Sequence, residues 1–253
     1  MALIAAQMYT LRDFCKTPVD IAKSCAKVKK MGYDGIQISG MGKIEAAEMK
    51  KILDGEGLQC AATHVSLDEM EKETARVIEE HQLWNCKYTA IGGFFTEAWN
   101  RSVIDNFIVK YNAIAKKFAG SGVSIGYHNH HHEFAPVDGQ RPMDLLINNL
   151  DPEIWIEIDT HWVARGGSDP AAYIEKVAGR IPCVHFKDMT ISFPERLPKM
   201  CEIGDGNLHW HRIVQACRYA GVRWYIVERD SGDLDPFDSL ERSLFNMREK
   251  MGL

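Results

Sequence analysis

Eight short apolar runs, each closed by polar or small residues and each followed by a helix-like stretch, constrain this chain more than any other feature. They are Leu3–Met8, Gly35–Ile38, Leu58–Thr63, Tyr88–Ile91, Val123–Tyr127, Ile154–Ile158, Cys183–Phe186 and Trp224–Val227. Runs of this length read as buried strands, and the stretches between them carry helix punctuation. Thr17-Pro18 offers a cap and a first-turn proline ahead of Ile21, Cys25 and Val28. Ser66-Leu67-Asp68-Glu69 is a capping box that opens a helix to about Trp84. Asp169-Pro170 and Asp235-Pro236 repeat the cap-and-proline pair, and Gly120, Gly122 and Gly221 stand where helices hand over to strands. Strand and helix alternating at βαβ spacing require a parallel sheet. Eight such units in 253 residues predict a closed (β/α)8 barrel. An open doubly wound sheet usually offers a glycine-rich turn after its first strand. Here that turn reads Tyr9-Thr10-Leu11-Arg12-Asp13, without glycine. No linker, low-complexity tract or charge block divides the chain, so residues 1–253 are expected to form a single domain.

The net charge of −5 argues against a nucleic-acid partner, which usually demands a basic excess. No run approaches the roughly 18 apolar residues that cross a membrane. Met1–Ala6 lacks the basic and apolar regions of a secretory signal. Seven scattered cysteines, odd in number and never spaced C-x-x-C, read as reduced thiols of a cytoplasmic protein. A small-molecule partner is expected, and homo-oligomer formation stays open.

Parallel barrels carry their chemistry where strands run into the following loops. The polar residues obey that geography. The first run ends near Gln7 and Tyr9, the second near Gln37 and Ser39, the third at His64, and the fourth in Gly92-Gly93. The fifth to eighth end in His128 and His130, Asp159, His185 and Glu228. Strand alternation puts His128 with His130, Glu157 with Asp159, His185 with Lys187, and Glu228 with Asp230 on shared faces, while Asp188 faces the other way. Glu133 is out of phase with the two histidines and reaches their cavity only if the chain turns first. Four polar strand ends in succession need four separate buried accommodations unless they share a partner. Imidazole and carboxylate together suit one divalent metal ion, whether manganese, zinc, cobalt, magnesium or iron.

The motifs Asp34-Gly35-Ile36-Gln37, Tyr127-His128-Asn129-His130, Glu157-Ile158-Asp159-Thr160, His185-Phe186-Lys187-Asp188, Gly204-Asp205-Gly206-Asn207-Leu208-His209-Trp210 and Val227-Glu228 span the chain. On them it resembles the sugar-phosphate isomerase/epimerase superfamily, the xylose isomerase-like TIM barrels. That resemblance implies one divalent ion held by a Glu, Asp, His, Glu set on strands five to eight. Asp159, His185 and Glu228 match three of these. Strand five ends in His128 where ketose 3-epimerase-like members carry Glu, so the first ligand stands among His128, His130 and Glu133, with Glu133 supplying the carboxylate if it turns inward. The implied activity is isomerisation or epimerisation of a small keto-sugar, by proton removal beside the carbonyl through a metal-stabilised enediolate. Glu228 is the candidate base, with His128 or His130 as opposing acid/base and Lys187 at a substrate oxygen. His64, His161, Trp162 and Asp188 are expected to bind substrate. The Tyr127–Phe134 stretch looks equally like inosose dehydratase-like and keto-glycoside lyase-like members. Elimination from a keto-sugar, 3-keto-glycoside or inosose is therefore the alternative on the same site. The loop Met189–Leu208 is expected to cover the substrate.

Overall fold

The computed structural model describes residues 2–253. All eight apolar runs become parallel strands of one closed barrel. These are β1 (Leu3–Gln7), β2 (Gly35–Ile38), β3 (Gln59–His64), β4 (Tyr88–Ile91), β5 (Ser124–His128), β6 (Trp155–Asp159), β7 (Cys183–Phe186) and, beyond an antiparallel hairpin of β8 (Asp188–Ile191) and β9 (Pro198–Cys201), β10 (Trp224–Val227). β10 pairs with both β7 and β1, which closes the ring. The connecting helices are α1 (Pro18–Met31), α2 (Ala46–Glu56), α3 (Leu67–Lys72), α4 (Thr74–Leu83), α5 (Arg101–Phe118), α6 (Pro142–Asn149), α7 (Thr160–Arg165), α8 (Pro170–Lys176), α9 (Trp210–Ala220) and α10 (Pro236–Met251). Among the described residues no helix is long and apolar enough to cross a membrane.

The caps read from sequence form. The Thr17 side chain accepts from Asp20 N, Ser66 and Glu69 close a reciprocal box, and Asp169 and Asp235 cap α8 and α10. Two expectations change. The helix expected from Ser66 to about Trp84 breaks at Glu73 (φ −122°, ψ 30°). There the Thr74 hydroxyl donates back to the Met70 carbonyl at 2.7 Å and competes with the helical ladder. The loop expected over Met189–Leu208 is partly ordered as the β8–β9 hairpin, with Met189 opposite Met200.

Side chains inside the barrel divide by height. An apolar plug of Ala5, Ala61, Ala62, Ala90, Cys183 and Ile226 surrounds the indoles of Trp155 and Trp224. Trp155 fits because its register partner is Gly126, where a Cβ would stand 2.3 Å from the indole. Two residues further along each strand the inward positions turn polar, as the strand period requires. They are His128 on β5, Glu157 on β6, His185 on β7 and Glu228 just past β10, all buried. The plug thus forms a floor and leaves a polar layer at the carboxyl mouth. A register shift between Ile36 and Gln37 re-aims β2, and the Gln37 side chain is fully buried.

One buried polar group outside the barrel sets a pH dependence. His81 on α4 is fully buried, with Nδ1 2.6 Å from the Val77 carbonyl and Nε2 2.7 Å from the Thr63 hydroxyl. A neutral ring satisfies both contacts, donating at Nδ1 and accepting at Nε2. Burial outweighs the Val77 carbonyl and lowers the pKa to about 4 from 6.5. The unfolded chain takes up this proton first as pH falls. The contribution is therefore full above about 6.5 and is lost as pH drops through about 4, by roughly 3 kcal/mol in all. Denaturant midpoints are expected to fall across that window while the His81 ring titrates near pH 4 by NMR. A His81 titration at the free-histidine value would remove this source of acid lability.

Candidate metal centre

Four side chains from consecutive strands of the ring converge at the carboxyl mouth. His128, Asp159, His185 and Glu228 are all buried, and each offers one donor atom within 4.8 Å of the other three. Register explains part of this: Asp159 pairs directly with His185, and the backbone N–H of Glu228 donates to the Phe186 carbonyl at 3.1 Å. His128 Nε2 lies 3.5 Å from Asp159 Oδ2, and His185 Nδ1 lies 3.8 Å from the same oxygen and 2.9 Å from Glu228 Oε2. None of these four atoms makes a well-aligned hydrogen bond, although some stand at ion-pair distance from one another. Buried polar atoms are rarely left so, and four sharing one small volume point to a common cation.

The surroundings hold these donors in place. His185 Nε2 donates to Gln37 Oε1 at 2.6 Å, and that oxygen also accepts from Gln7 Nε2 at 3.0 Å. Gln37 in turn donates to Glu157 Oε1 at 3.0 Å. The ring is thereby oriented with Nδ1 facing the cluster, as metal-binding histidines commonly are. Burial alone would lower the His185 pKa, but Glu157 and Glu228 outweigh it and hold it well above the usual value. A cation among the four donors would replace the Nδ1 proton. Asp159 divides its carboxylate: Oδ1 accepts from Trp162 N at 2.9 Å and caps α7, leaving Oδ2 for the cluster. Against the cost of burial, Lys187 and His128 keep Asp159 ionised, and Lys187 and His185 do the same for Glu228. His128 is held neutral by burial and by His185.

Among the described residues Lys187 brings the one ammonium to the cluster. It is 1% exposed, with Nζ 3.1 Å from Asp159 Oδ2, 2.9 Å from Glu228 Oε2 and 3.1 Å from Asp230 Oδ2. Above it opens a cavity of about 410 Å³ whose wall includes Tyr9, His64, Phe95, His130, Glu228 and Asp230. His64 Nε2 lies 2.7 Å from buried Glu157 Oε2, and its Nδ1 lies 3.3 Å from the Ser39 hydroxyl. His130 keeps an unpartnered Nδ1, and burial together with His128 lowers its pKa to about 2, so the ring is neutral. Gly93 (φ +149°) lets Phe95 and His130 meet; a Cβ there would stand 2.7 Å from the phenyl ring and 2.8 Å from the imidazole.

Several expected site residues lie elsewhere. Glu133, expected as the strand-five ligand, does not join the cluster. A 3-10 turn over His132–Phe134 directs it back, and its buried carboxylate accepts from the Tyr127 hydroxyl at 2.7 Å and from His130 N at 2.9 Å. His128 stands with the other three instead. Asp188, expected at the substrate, points outward, as its strand phase dictates. It accepts from Met189, Gly204, Gly206 and Leu208 backbone N–H groups and from Trp210 Nε1 at 2.6 Å, tying down the segment after the hairpin. Trp162 packs 5.2 Å from His130 and 5.1 Å from His131, as a backing for those rings. His161 is fully buried edge-on to Trp162, 4.7 Å away, with neither ring nitrogen partnered. Neither forms part of the cavity wall. Residues that sequence reasoning did not assign to the site are Gln7, Gln37, Glu157 and Asp230. Strand phase was the available signal, since each lies on the same face as an assigned neighbour or at a barrel strand end.

A profile of the xylose isomerase-like TIM barrel family matches residues 25–249. An inosose dehydratase of Clostridium beijerinckii is 24% identical over 264 residues, covering 87% of this chain and 86% of that protein. A sugar phosphate isomerase/epimerase from Parabacteroides distasonis superposes with a TM-score of 0.83 at 21% identity, covering 98% of this chain and 93% of the other. The IOLI protein, solved with a bound zinc atom, superposes with a TM-score of 0.76 at 15% identity over 98% and 97% of the two chains. At these identities the structural likenesses establish a shared fold.

Proposed function

Because the chain belongs to the xylose isomerase-like TIM barrel family, we propose that it removes the proton beside the carbonyl of a small polyhydroxylated ketone, with one divalent ion held by His128, Asp159, His185 and Glu228. The observation that carries this reading is the set of four buried donor atoms, one from each of four adjacent strands, none of which makes a well-aligned hydrogen bond. Two imidazoles and two carboxylates suit zinc, manganese, cobalt or ferrous iron better than magnesium. When bound, such an ion supplies the positive charge that makes a C–H bond beside a carbonyl acidic.

The chain's own residues do the rest. Glu228 is ionised at the cavity wall and is the candidate base. His130 and His64 line the same cavity and offer imidazoles to a hydroxyl, that of His130 neutral. Lys187 brings an ammonium to the edge of the cavity beside Glu228 and Asp230, able to steady an oxygen as it gains charge.

The fate of the proton follows from what faces Glu228. A two-carboxylate exchange requires an acid/base of the same kind on strand five, and Glu133 is folded away from the cavity. The two carboxylates in the wall, Glu228 and Asp230, both come from the end of β10. One carboxylate side with imidazoles and an ammonium suits loss of a β-hydroxyl or β-alkoxyl, and the likeness to an inosose dehydratase supports that outcome. Isomerisation or epimerisation is the second reading, supported by the fold shared with a sugar phosphate isomerase/epimerase.

Incubation of manganese-loaded protein with ketoses and inososes in deuterated water tests both. Elimination with loss of water is expected from an inosose, slowed about 100-fold or more by a chelator. Deuterium uptake without elimination would transfer the assignment to the second reading. Neither exchange nor elimination from any keto-polyol would overturn the proposal.

A further inference from the structure

We propose that Lys187 is a built-in counter-cation for the four-donor ion site, and that Asp230 is the berth to which its ammonium withdraws when an ion binds. The inference rests on the ion site proposed above and concerns how that site is kept ready. Lys187 Nζ is hydrogen-bonded to both oxygens of Asp230, at 3.2 and 3.1 Å. Its approach to Asp159 Oδ2 (3.1 Å) and Glu228 Oε2 (2.9 Å) is different in kind. Neither of those two oxygens meets the ammonium at hydrogen-bonding angles, so the pairing there rests on charge and closeness more than on directed bonding, whereas both Asp230 oxygens do. They are also two of the four donor atoms.

Two buried carboxylates this close repel each other unless something positive stands between them. Lys187, which unlike the His185 ring is not itself one of the donors, contributes that charge before any ion arrives, so the mouth of the barrel folds without one. A divalent ion on the same oxygens would meet the ammonium as a like charge at contact distance. The exit is short. Asp230 lies on the cavity side, is 26% exposed, and already holds the ammonium by two hydrogen bonds. Its backbone is fixed from outside, since Arg12 Nη2 donates to the Asp230 carbonyl at 2.8 Å. Trp162 lies 5.2 Å from Nζ, a ring face along which the ammonium can shift without losing contact. Asp230 is on this account a positioning residue, acting through Lys187.

The test is equilibrium dialysis of wild type, Lys187→Met, Lys187→Gln and Asp230→Asn against manganese, with bound ion measured by elemental analysis and folding checked by thermal melting. Removing the competing ammonium is expected to tighten manganese binding about tenfold or more, while lowering the melting temperature of the chelated protein. Asp230→Asn is expected to weaken binding several-fold, because the ammonium then stays on the donor oxygens. Folded Lys187 variants that bind manganese no more tightly than wild type would overturn the inference. Should both Lys187 variants fail to fold, an unchanged affinity in Asp230→Asn would overturn it. Binding by the Lys187 variants but not by wild type would support the counter-cation and sink the proposed function. Absence of binding in every variant would sink both.

Discussion

Asp159→Asn is expected to lower turnover by roughly 10³-fold or more, about 4 kcal/mol of transition-state stabilisation, and to strip the protein of its divalent ion while leaving the fold standing. The substitution separates the two halves of one carboxylate. Oδ1 caps α7 by accepting from Trp162 N, and an amide oxygen can keep that bond. Oδ2 is the half that faces His128, His185 and Lys187, and an amide there brings neither charge nor a second acceptor. Without an ion, Lys187 still has Glu228 and Asp230 as partners, so no buried charge is left stranded. Ion content by elemental analysis and the melting temperature are read separately from turnover. Full ion content with undiminished turnover in this variant would mean that the four donors do not share a cation.

The fold was legible because its evidence is local. Strands such as Cys183–Phe186 are short apolar runs, and α1, α8 and α10 announce themselves by a capping side chain followed by proline. Convergence at the mouth was legible for the same reason, since strand period and parallel order force the ends of β5 to β8's predecessor β7 and of β10 onto one side. What sequence left hidden depends on contacts between distant segments. The bond from His185 to Gln37 spans 148 positions, and no local pattern assigns glutamines to orient a ligand. The β8–β9 hairpin pairs Ile191 with Pro198; its strands are only four residues each and β9 (Pro198–Cys201) does not alternate in hydrophobicity, so it read as a loop. Asp188 shows the limit of phase alone. Its outward direction was readable, but not that Gly204, Gly206, Leu208 and Trp210 would arrive to be held by it.

Strand five carries the remaining choice, and a pair of substitutions resolves it. Glu133→Gln is expected to cost roughly 1–3 kcal/mol of stability yet leave ion stoichiometry unchanged. The buried carboxylate now takes two donors, one on each oxygen, from the Tyr127 hydroxyl and the His130 backbone. Glutamine can accept on one side only; with its oxygen on the His130 N–H, its amide N–H₂ faces the Tyr127 hydroxyl, which must turn to accept and give up its own donation. Burial pushes the Glu133 pKa up, against the pull of His132 and of these donors, which marks a structural anchor working against its own desolvation. His128→Ala is expected to do the reverse, lowering ion affinity about 100-fold or more with a smaller change in stability. Its ring nitrogens hold no hydrogen bond that the fold would miss, whereas Nε2 is one of the four donors. Manganese content and denaturant midpoints, measured on both variants, decide the matter. If Glu133→Gln loses the ion and His128→Ala retains it, a carboxylate does serve on strand five, the turn at His132–Phe134 must open to admit it, and the case for a two-carboxylate epimerase returns.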